Sequence, residues 1–304
     1  MTDLIVVGAG TAGMTAALYA LRNGKTVKIF DSQGYGGQIA NSPRVENFPS
    51  VKVISGSDFA DKLFDQINDF GADYEYEKIL KIEKKGKTFV VTGEYGTYES
   101  KTVVLATGVK HKTFGLPNEE ELVGKGISYC AVCDGAFYKG KEVVLIGDAN
   151  TALQYALLLS SYCTKVKLCT LFNKFFGDEM LVNAVKNTEN IEIIQGISLI
   201  EIQGKEKLEG LVFKETYGEK TFTMPAEALF VAIGQVPDNQ AFENLVDLEK
   251  GFIVAGEDCK TKTEGLFAAG DCRTKSVRQL TTAAADGAIA AMGASNYIAS
   301  LGEI

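Results

Sequence analysis

The chain contains few of the residues that most often bind metals or nucleic acids. Its 304 residues include one histidine, no tryptophan and five prolines. A structural zinc usually takes four cysteine or histidine ligands, with a second pair near the first. The close pair Cys130 and Cys133 has no such second pair. The formal net charge is −8, whereas nonspecific nucleic-acid binding depends on lysine and arginine neutralising phosphates. We therefore expect no metal site and no nucleic-acid partner.

A long run of large apolar residues is also missing. The stretch 281–299 is mostly alanine and glycine and contains Asp286 and Asn296, so it predicts a packed helix and no membrane span. The chain starts Met1-Thr2-Asp3, without a basic and apolar leader. We therefore expect a cytoplasmic protein that does not associate with a membrane. In a reducing compartment, a close cysteine pair is more often catalytic or redox-sensing than structural.

The most informative segment that is present runs from Ser128 to Gly135 and contains Cys130 and Cys133. Two thiols at this spacing can close into a small disulfide that is readily reduced. The pair therefore predicts two-electron thiol–disulfide exchange. We expect the other cysteines to be buried small hydrophobic residues. They are Cys163, Cys169, Cys259 and Cys272.

The amino terminus has the pattern of a dinucleotide-binding unit. A strand, a glycine-rich turn, a helix and a second strand follow one another in residues 4–30. Gly8 permits a tight turn, Gly10 lets backbone amides approach a pyrophosphate, and Gly13 lets helix and strand pack closely. Asp31 follows the second strand and is placed to accept a hydrogen bond from a ribose hydroxyl. These features together predict a dinucleotide site.

The same pattern nearly recurs in residues 143–172, which predicts a second strand–helix–strand half. Ala149 replaces the glycine that allows close phosphate approach, and Asp148 places a carboxylate where a pyrophosphate would lie. Two unit charges about 4 Å apart repel by roughly 4 kcal/mol at an effective dielectric of about 20. That repulsion abolishes ordinary dinucleotide affinity. We expect Asp148, Asn150 and Thr151 to cap the helix instead.

The end of the last strand in this second half has no arginine. Arginines usually hold the 2′-phosphate of NADP at this position, yet residues 168–176 contain neither arginine nor histidine. Leu171, Phe172, Phe175 and Phe176 stand there instead. These apolar residues are either core packing or an apolar surface patch, and the sequence leaves both interpretations open.

Several short motifs occur in an order and spacing typical of one enzyme family. They are Gly36-Gly37-Gln38-Ile39, Val45 to Pro49, Leu105-Ala106-Thr107-Gly108, Cys130 to Gly135, Ala232 to Pro237, Gly265 to Asp271, and Arg278-Gln279. The chain resembles the low-molecular-weight flavin thioredoxin reductases from end to end. The resemblance implies an α/β fold of two Rossmann-like, three-layer domains, the second inserted in the first. The FAD-binding domain would comprise residues 1–112 and 240–304. The inserted domain, 113–239, would carry the redox cysteines and resemble a degraded NADPH-binding domain.

The resemblance also implies FAD as the cofactor and assigns residues to it. The residues that would hold FAD are Gly8, Gly10, Gly13, Asp31, Gln38, Asn47, Thr107, Gly108 and Asp271. Asp271 would meet the ribityl and phosphate region, while Gln279 and the start of the last helix would face the isoalloxazine ring. The alternative for Asp271 and Asn47 is that each closes or caps a turn.

The chain departs from the family at the nucleotide site of the inserted domain. In NADPH-dependent members, a glycine-rich turn and an arginine cluster would fall at residues 147–152 and 170–176, and both are lost here. This pattern resembles the ferredoxin-dependent flavin thioredoxin reductases of anaerobes. The implied function is reduction of thioredoxin, with electrons passing from ferredoxin through FAD to Cys130 and Cys133. A homodimer is implied by the resemblance alone.

The resemblance further implies roles within the redox segment. Cys133 would sit against the flavin, and Asp134 would shuttle a proton, although a helix or turn cap is the alternative for Asp134. Which cysteine attacks thioredoxin stays open. Because ferredoxins are acidic, docking of the donor needs a local basic face. Its candidate residues are Arg44, Lys110, His111, Lys112 and Arg273.

Three other functions fit the same features. A flavin dithiol oxidase would pass electrons from a dithiol to oxygen, and it too would need no NADPH. An NADPH-dependent thioredoxin reductase would have to bind its nucleotide in an unusual mode. A non-enzymatic redox sensor would use the disulfide only as a switch, and it ranks last because a sensor has little need of the complete motif set.

Overall fold

The computed structural model describes residues 1–42, 45 and 47–302. The α-helices, numbered α1 to α6 in chain order, are Thr11–Arg22, Gly56–Asp69, Ala131–Asp134, Asn150–Ser160, Glu179–Lys186 and Leu280–Ser300. The 3-10 turns are Gly37–Asn41, Gly135–Tyr138, Gln240–Phe242 and Gly270–Cys272. The strands, numbered β1 to β19, are Thr2–Val7, Val27–Asp31, Asp73–Tyr76, Ile79–Lys85, Thr88–Gly93, Thr97–Leu105, Lys110–His111, Ile127–Ser128, Glu142–Ile146, Lys165–Thr170, Ile191–Gln195, Ile197–Gln203, Gly210–Glu215, Thr221–Pro225, Leu229–Val231, Gln235–Val236, Leu248–Glu249, Phe252–Ile253 and Leu266–Ala268.

The chain divides into two compact units. Unit 1 comprises Met1–Lys110 together with the chain from Val236 onward, and unit 2 is His111–Gln235. The sequence analysis placed the corresponding boundaries at 112/113 and 239/240. Within the described residues, no helix is long and apolar enough to cross a membrane.

Unit 1 is built on a sheet with the strand order β3-β2-β1-β6-β5-β4. β19 pairs with the second half of β6, and β5 pairs with the first half. β1, β2, β3 and β19 run parallel to their neighbours, and the β4–β5–β6 meander is antiparallel. The second half of β6, Val103-Val104-Leu105, is apolar without interruption because both of its faces are covered.

The two faces of the unit 1 sheet bury alternate residues, as the period of two in a strand requires. Leu4 and Val6 of β1 belong to the core beneath α1 and α6, whereas Ile5 and Val7 belong to the core on the other face. The expected packed helix at residues 281–299 is confirmed as α6, whose alanines and glycines allow close contact with α1.

Unit 2 repeats this plan. Its sheet has the order β11-β10-β9-β15-β8 and is parallel throughout. Val143 and Leu145 of β9 face the core under α4, while Val144 and Ile146 face the core shared with the β12–β13–β14 meander. The predicted α/β class with two Rossmann-like units, and the predicted repeat of a strand–helix–strand half, are confirmed.

Candidate functional site

The redox pair lies on a single helical turn of unit 2. Cys130 and Cys133 form a disulfide, with their Cα atoms 5.3 Å apart. Cys130 is the N-cap of α3, and its sulfur accepts a hydrogen bond from the Cys133 amide at 3.2 Å. Both cysteines are half-buried, and Val132 between them is 44% exposed. The disulfide is therefore partly exposed at the surface of unit 2.

Asp134 is the last residue of α3 and directly follows Cys133 in the chain. Its Oδ2 accepts a hydrogen bond from the Ser128 hydroxyl at 2.6 Å, whereas its Oδ1 is buried and has no hydrogen-bond partner among the described residues. Burial raises the pKa of the carboxyl, and the bond from Ser128 lowers it in part. Among the described residues, the carboxyl accepts from this hydroxyl and from no backbone amide, which does not fit the alternative prediction of a helix or turn cap.

Gly135, directly after α3, allows the α3 turn to pack closely on the end of α4. A Cβ at Gly135 would collide with Tyr162 and Leu159, so the α3 turn rests directly on the end of α4. The described part of the chain offers no cluster of metal-ligating side chains around the pair or elsewhere. The expectation that the four remaining cysteines are buried is confirmed.

The glycine-rich turn of unit 1 joins β1 to α1. A Cβ at Gly8 would strike the Ala106 carbonyl, and one at Gly13 would strike the Gly8 carbonyl. A Cβ at Gly10 would meet only the Gly36 carbonyl oxygen, at 3.9 Å. Gly10 is also the N-cap of α1 and provides no side-chain cap. The first amides of α1 are therefore open to a ligand.

Asp31 holds this turn from the end of β2. Its Oδ2 accepts from the Ala9 amide at 2.7 Å, and its Oδ1 accepts from the Gln33 amide at 2.8 Å. A carboxylate oxygen has two lone pairs, so Asp31 keeps acceptor capacity for a ligand hydroxyl while it fixes the turn.

Several other predicted cofactor residues of unit 1 form side-chain hydrogen bonds within the same unit. The side-chain amide of Gln38 donates to the Val109 carbonyl. The structure brings together Asn47 and Gln279, since Asn47 Nδ2 donates to Gln279 Oε1 at 3.3 Å. Gln279 is the N-cap of α6, where it forms a capping box with Thr282. Glu46, part of the same motif as Asn47, lies outside the described residues.

The motif at the end of β6 is anchored by a residue that the sequence analysis missed. Asn239 is fully buried and accepts a hydrogen bond from Thr107 Oγ1 at 2.7 Å. Its Nδ2 donates to the carbonyls of Gly251 and Cys272. Gly108 has φ +65°, with open space where a Cβ would stand. No local pattern marks Asn239, because its three partners come from distant segments.

Asp271 lies in the 3-10 turn before α6. Its Oδ1 is buried and has no partner among the described residues. Burial raises the pKa of Asp271, although Lys275 and Arg278 oppose the shift. A buried oxygen without a partner is the kind of group that a ligand hydroxyl satisfies.

A buried charged cluster supports the Asp271 turn, and it too was missed. Asp286 of α6 accepts from the Gly270 amide at 2.9 Å, from Arg273 Nε and Nη2 at 2.8 Å each, and from Lys275 Nζ at 2.8 Å. Burial opposes ionisation, but the bonds from Arg273 and Lys275 hold the pKa of Asp286 below its ordinary value. Asp286 entered the sequence analysis only as a polar residue within an apolar-looking stretch.

The predicted basic face is corrected by the structure. The Arg273 side chain is only 3% exposed and pairs with Asp286, so it cannot meet a partner protein. His111 is half-buried and stacks on Tyr129, and burial lowers its pKa. Lys110 and Lys112 are exposed. Another candidate, at position 44, lies outside the described residues.

The second turn, between β9 and α4, lacks the helix caps that the sequence predicted. The N-cap of α4 is Ala149, which provides no side-chain cap. Asn150 instead exchanges two hydrogen bonds with Asp178 before α5. Helix capping by Asp148, Asn150 and Thr151 was therefore a wrong prediction. Burial raises the pKa of Asp148, as expected for a carboxylate without a strong partner.

The structure also decides between the two interpretations of the apolar strand end. Leu171, Phe172 and Phe176 are 41%, 36% and 52% exposed, so they form a surface patch. Phe172 and Phe176 meet edge to face, and Lys174 Nζ lies 4.7 Å from the centre of the Phe176 ring. Phe175 differs from them, because it packs against the core under α4.

Two Rossmann-like units, one with an open glycine-rich turn and the other with a disulfide on a helical turn, define a dinucleotide-dependent disulfide oxidoreductase. Comparison with known proteins agrees. The chain belongs to the pyridine nucleotide-disulphide oxidoreductase family, whose model matches residues 2–287.

Named relatives are similar over nearly the whole chain. The thioredoxin reductase of Listeria monocytogenes is 38% identical, with 99% of this chain and 95% of that protein aligned. The thioredoxin reductase of Bacillus subtilis is 36% identical over 99% of this chain and 96% of its own length. Among solved structures, a thioredoxin reductase from Streptococcus pyogenes has a TM-score of 0.93 and 33% identity, with 99% of each chain covered. The family binds FAD, which is the cofactor of this chain.

Proposed function

We propose that this chain reduces the disulfide of a thioredoxin with electrons from reduced ferredoxin, which pass through FAD and the Cys130–Cys133 pair. One observation carries the proposal. The Cys130–Cys133 pair forms a disulfide, and Ser128 links the Asp134 carboxyl to the Cys130 backbone, in a unit whose glycine-rich turn has Asp148 and Ala149 in place of the ligand-binding pattern. The pair supplies thiol–disulfide exchange, and the degraded turn argues against a dinucleotide as the donor.

The residues of unit 1 fit FAD. Gly10 leaves the first amides of α1 open for a pyrophosphate, and Asp271 has a buried oxygen that lacks a partner among the described residues. We assign FAD binding to Gly8, Gly10, Gly13, Asp31, Gln38, Asn47, Thr107, Gly108, Asp271 and Gln279. When bound, FAD supplies a redox centre that accepts electrons singly and delivers them in pairs.

The cysteine pair and Asp134 would carry the chemistry on the protein side. Opening the disulfide takes up two electrons and at least one proton. Asp134, whose burial favours the protonated carboxyl, would give that proton to a cysteine sulfur. Cys133 would face the cofactor, and the resulting dithiol would reduce thioredoxin through a mixed disulfide in which either cysteine is the attacking thiol.

Two features of unit 2 support a donor other than NADPH. Asp148 would repel a pyrophosphate, and the Ala149 methyl group leaves less room for a phosphate to approach the backbone amides. The exposed Leu171 and Phe172 occupy the strand end where a 2′-phosphate would need arginine. A protein that donates electrons one at a time, such as ferredoxin, does not need a nucleotide-binding site in unit 2. With Arg273 buried, Lys110 and Lys112 remain the exposed cations proposed to face an acidic ferredoxin.

We propose a homodimer in addition. Ile289 and Met292 on α6 are 39% and 44% exposed, and Tyr19 on α1 is 43% exposed. Apolar side chains on paired helices are the kind of surface that a second copy covers. Sedimentation equilibrium of the FAD-loaded protein tests this, and a monomer at micromolar concentration would contradict it.

The donor is tested by following the visible absorbance of the flavin without oxygen. Reduced ferredoxin, NADPH and NADH are added to separate samples. We expect bleaching with ferredoxin alone, followed by reoxidation when oxidised thioredoxin is added. Cys133→Ser is the matched control, because its flavin should still bleach but should not be reoxidised by thioredoxin.

Other outcomes of this titration would replace the proposal. Saturable bleaching by NADPH would identify an NADPH-dependent reductase with an unusual nucleotide mode. Oxygen consumption driven by dithiols, with no response to ferredoxin, would identify a dithiol oxidase. A single reduction without repeated turnover would favour a redox sensor.

A further inference from the structure

The hydroxyl of Ser128 joins the two functional parts of the redox loop. Ser128 is the last residue of β8 and is only 4% exposed. Its Oγ lies 2.6 Å from Asp134 Oδ2, 3.0 Å from Cys130 N and 3.3 Å from Cys130 O. A hydroxyl has one proton and two acceptor lone pairs. The hydroxyl can therefore donate to Asp134 or to the Cys130 carbonyl, but not to both fully at once.

These distances fit both charge states of Asp134. When Asp134 is ionised, Ser128 donates to Oδ2 and accepts from the Cys130 amide. When Oδ2 carries a proton, the carboxyl donates to Ser128 Oγ, and the serine proton turns to the Cys130 carbonyl. The Cys130 amide keeps its acceptor in both states. Neither state leaves the hydroxyl without a partner, so a change of charge requires only a rotation of the O–H bond.

We propose that Ser128 is a positioning residue that holds Asp134 beside the cysteine pair in both of its protonation states. The inference rests on the proposed role of Asp134 as proton donor. In the step that it serves, the disulfide takes two electrons from the reduced cofactor and one proton from Asp134. The S–S bond breaks to give one thiol and one thiolate, and the carboxylate then regains a proton from water.

Among the described residues, the other titratable groups that interact with Asp134 are two tyrosines. Tyr138 lies on the following 3-10 turn, and Tyr155 lies on α4. Burial, and to a smaller degree the charge on Asp134, raise the pKa of both tyrosines, so they stay neutral at working pH. No cation among the described residues contributes to the pKa of Asp134. The Ser128 bond is therefore the interaction that favours the ionised carboxylate against burial.

The test is an infrared titration of the oxidised, FAD-loaded protein. The carbonyl band of protonated Asp134 is identified by its loss in Asp134→Asn. Because Ser128 binds the charged carboxylate more strongly than the neutral carboxyl, Ser128→Ala is expected to move the titration midpoint upward by about one pH unit. Ser128→Thr keeps the hydroxyl and should keep the parent midpoint. In turnover, the alkaline limb of the pH profile should move upward with the midpoint, because the acid then holds its proton to higher pH.

A purely structural role for Ser128 predicts a different result. Ser128→Ala would then lower the melting temperature while the midpoint stays at the parent value, and this outcome overturns the inference. If Ser128→Ala does not fold, Ser128→Cys provides a weaker donor and should give a smaller upward movement, whereas an unchanged midpoint again overturns the inference. The titration needs no thioredoxin. A moved midpoint in a protein that does not reduce thioredoxin would therefore refute the proposed function and leave the positioning role intact.

Discussion

The glycine-rich turn of unit 1 and its counterpart in unit 2 both start with a glycine of positive φ, but they differ in ligand chemistry. Gly8 and Gly147 both have positive φ, +106° and +156°, and a Cβ on either would collide with a carbonyl group, that of Ala106 or Ala232. Both following helices start without a side-chain cap. The first glycine thus serves the fold itself, which explains why both turns keep it.

The later positions of the two turns differ. Gly10 and Gly13 in unit 1 correspond to Ala149 and Ala152 in unit 2. Gly13 has no room for a Cβ, whereas Ala152 carries one and is fully buried. The start of α4 therefore packs less closely on its turn than the start of α1 does. Gly10 leaves room for a ligand to approach, and Gly13 lets α1 pack closely on its turn. The turn of unit 2 has lost both glycines and still joins a strand to a helix.

The largest loss of stability is expected when the buried charged cluster around Asp286 in unit 1 is broken. Asp286→Asn breaks a buried network with Arg273 and Lys275, and we expect it to destabilise unit 1 by about 3–5 kcal/mol and to weaken FAD binding. The depressed pKa of Asp286 means that its contribution is present above the ordinary carboxyl pKa and is lost as pH falls through the lower folded value. Melting curves and FAD release across pH measure both effects.

Asp148→Asn is the matched control in unit 2, and its effect should have the opposite sign. Burial raises the pKa of Asp148, so the stability it contributes is present below its unfolded pKa and is lost as pH rises through the folded value. The variant should therefore be slightly more stable than the parent at neutral pH. An equal loss of stability in both variants would contradict the difference between the two units.

The next largest effect is expected from a substitution at Gly13, the third glycine of the unit 1 turn. Gly13→Ala introduces a Cβ that collides with the Gly8 carbonyl, and we expect a loss of about 1–3 kcal/mol together with loss of most bound FAD. Flavin absorbance after gel filtration measures the cofactor. The reverse change, Ala152→Gly, should cost only about 1 kcal/mol of helix stability and leave FAD unaffected. Full FAD content in Gly13→Ala would refute the role given to close packing.

The smallest change in free energy is expected when glycines are introduced into the turn of unit 2 between β9 and α4. The double variant Asp148→Gly, Ala149→Gly removes the carboxylate and reopens the phosphate approach. We expect NADPH affinity to rise at least about tenfold, equivalent to about 1.4 kcal/mol, and to remain weak because no arginine stands at residues 168–176. Fluorescence titration with NADPH measures this. Unchanged affinity would show that the strand end, and not the turn, excludes the nucleotide.

Local patterns in the sequence predicted the elements around the site well. The glycine turn, the repeat and the α6 helix each depend on neighbours within a few residues, so spacing and residue type suffice to predict them. The helix caps predicted in unit 2 are absent, and Asn150 instead forms two hydrogen bonds with Asp178, 28 residues away. Local propensity cannot anticipate such a distant competitor.

The sequence was also insufficient to predict which side chains are buried. Arg273 looked like a surface cation, but its guanidinium pairs with a carboxylate 13 residues later on α6. The row of apolar residues after β10 divided into exposed Phe172 and Phe176 and the core residue Phe175. Residue type does not reveal which side of an irregular segment faces the core.

Short-range spacing was enough to predict the α/β plan of two similar halves, the cysteine pair and the loss of the second nucleotide-binding pattern. Three hydrogen-bonded links became visible only in the folded chain: Asn239 with Thr107, Asp286 with the Gly270 amide, and Ser128 with Asp134 and Cys130. They could not be predicted because a buried polar group bonds to whichever partner the fold brings near it. Most of those partners come from distant parts of the chain, and no motif records the pairing.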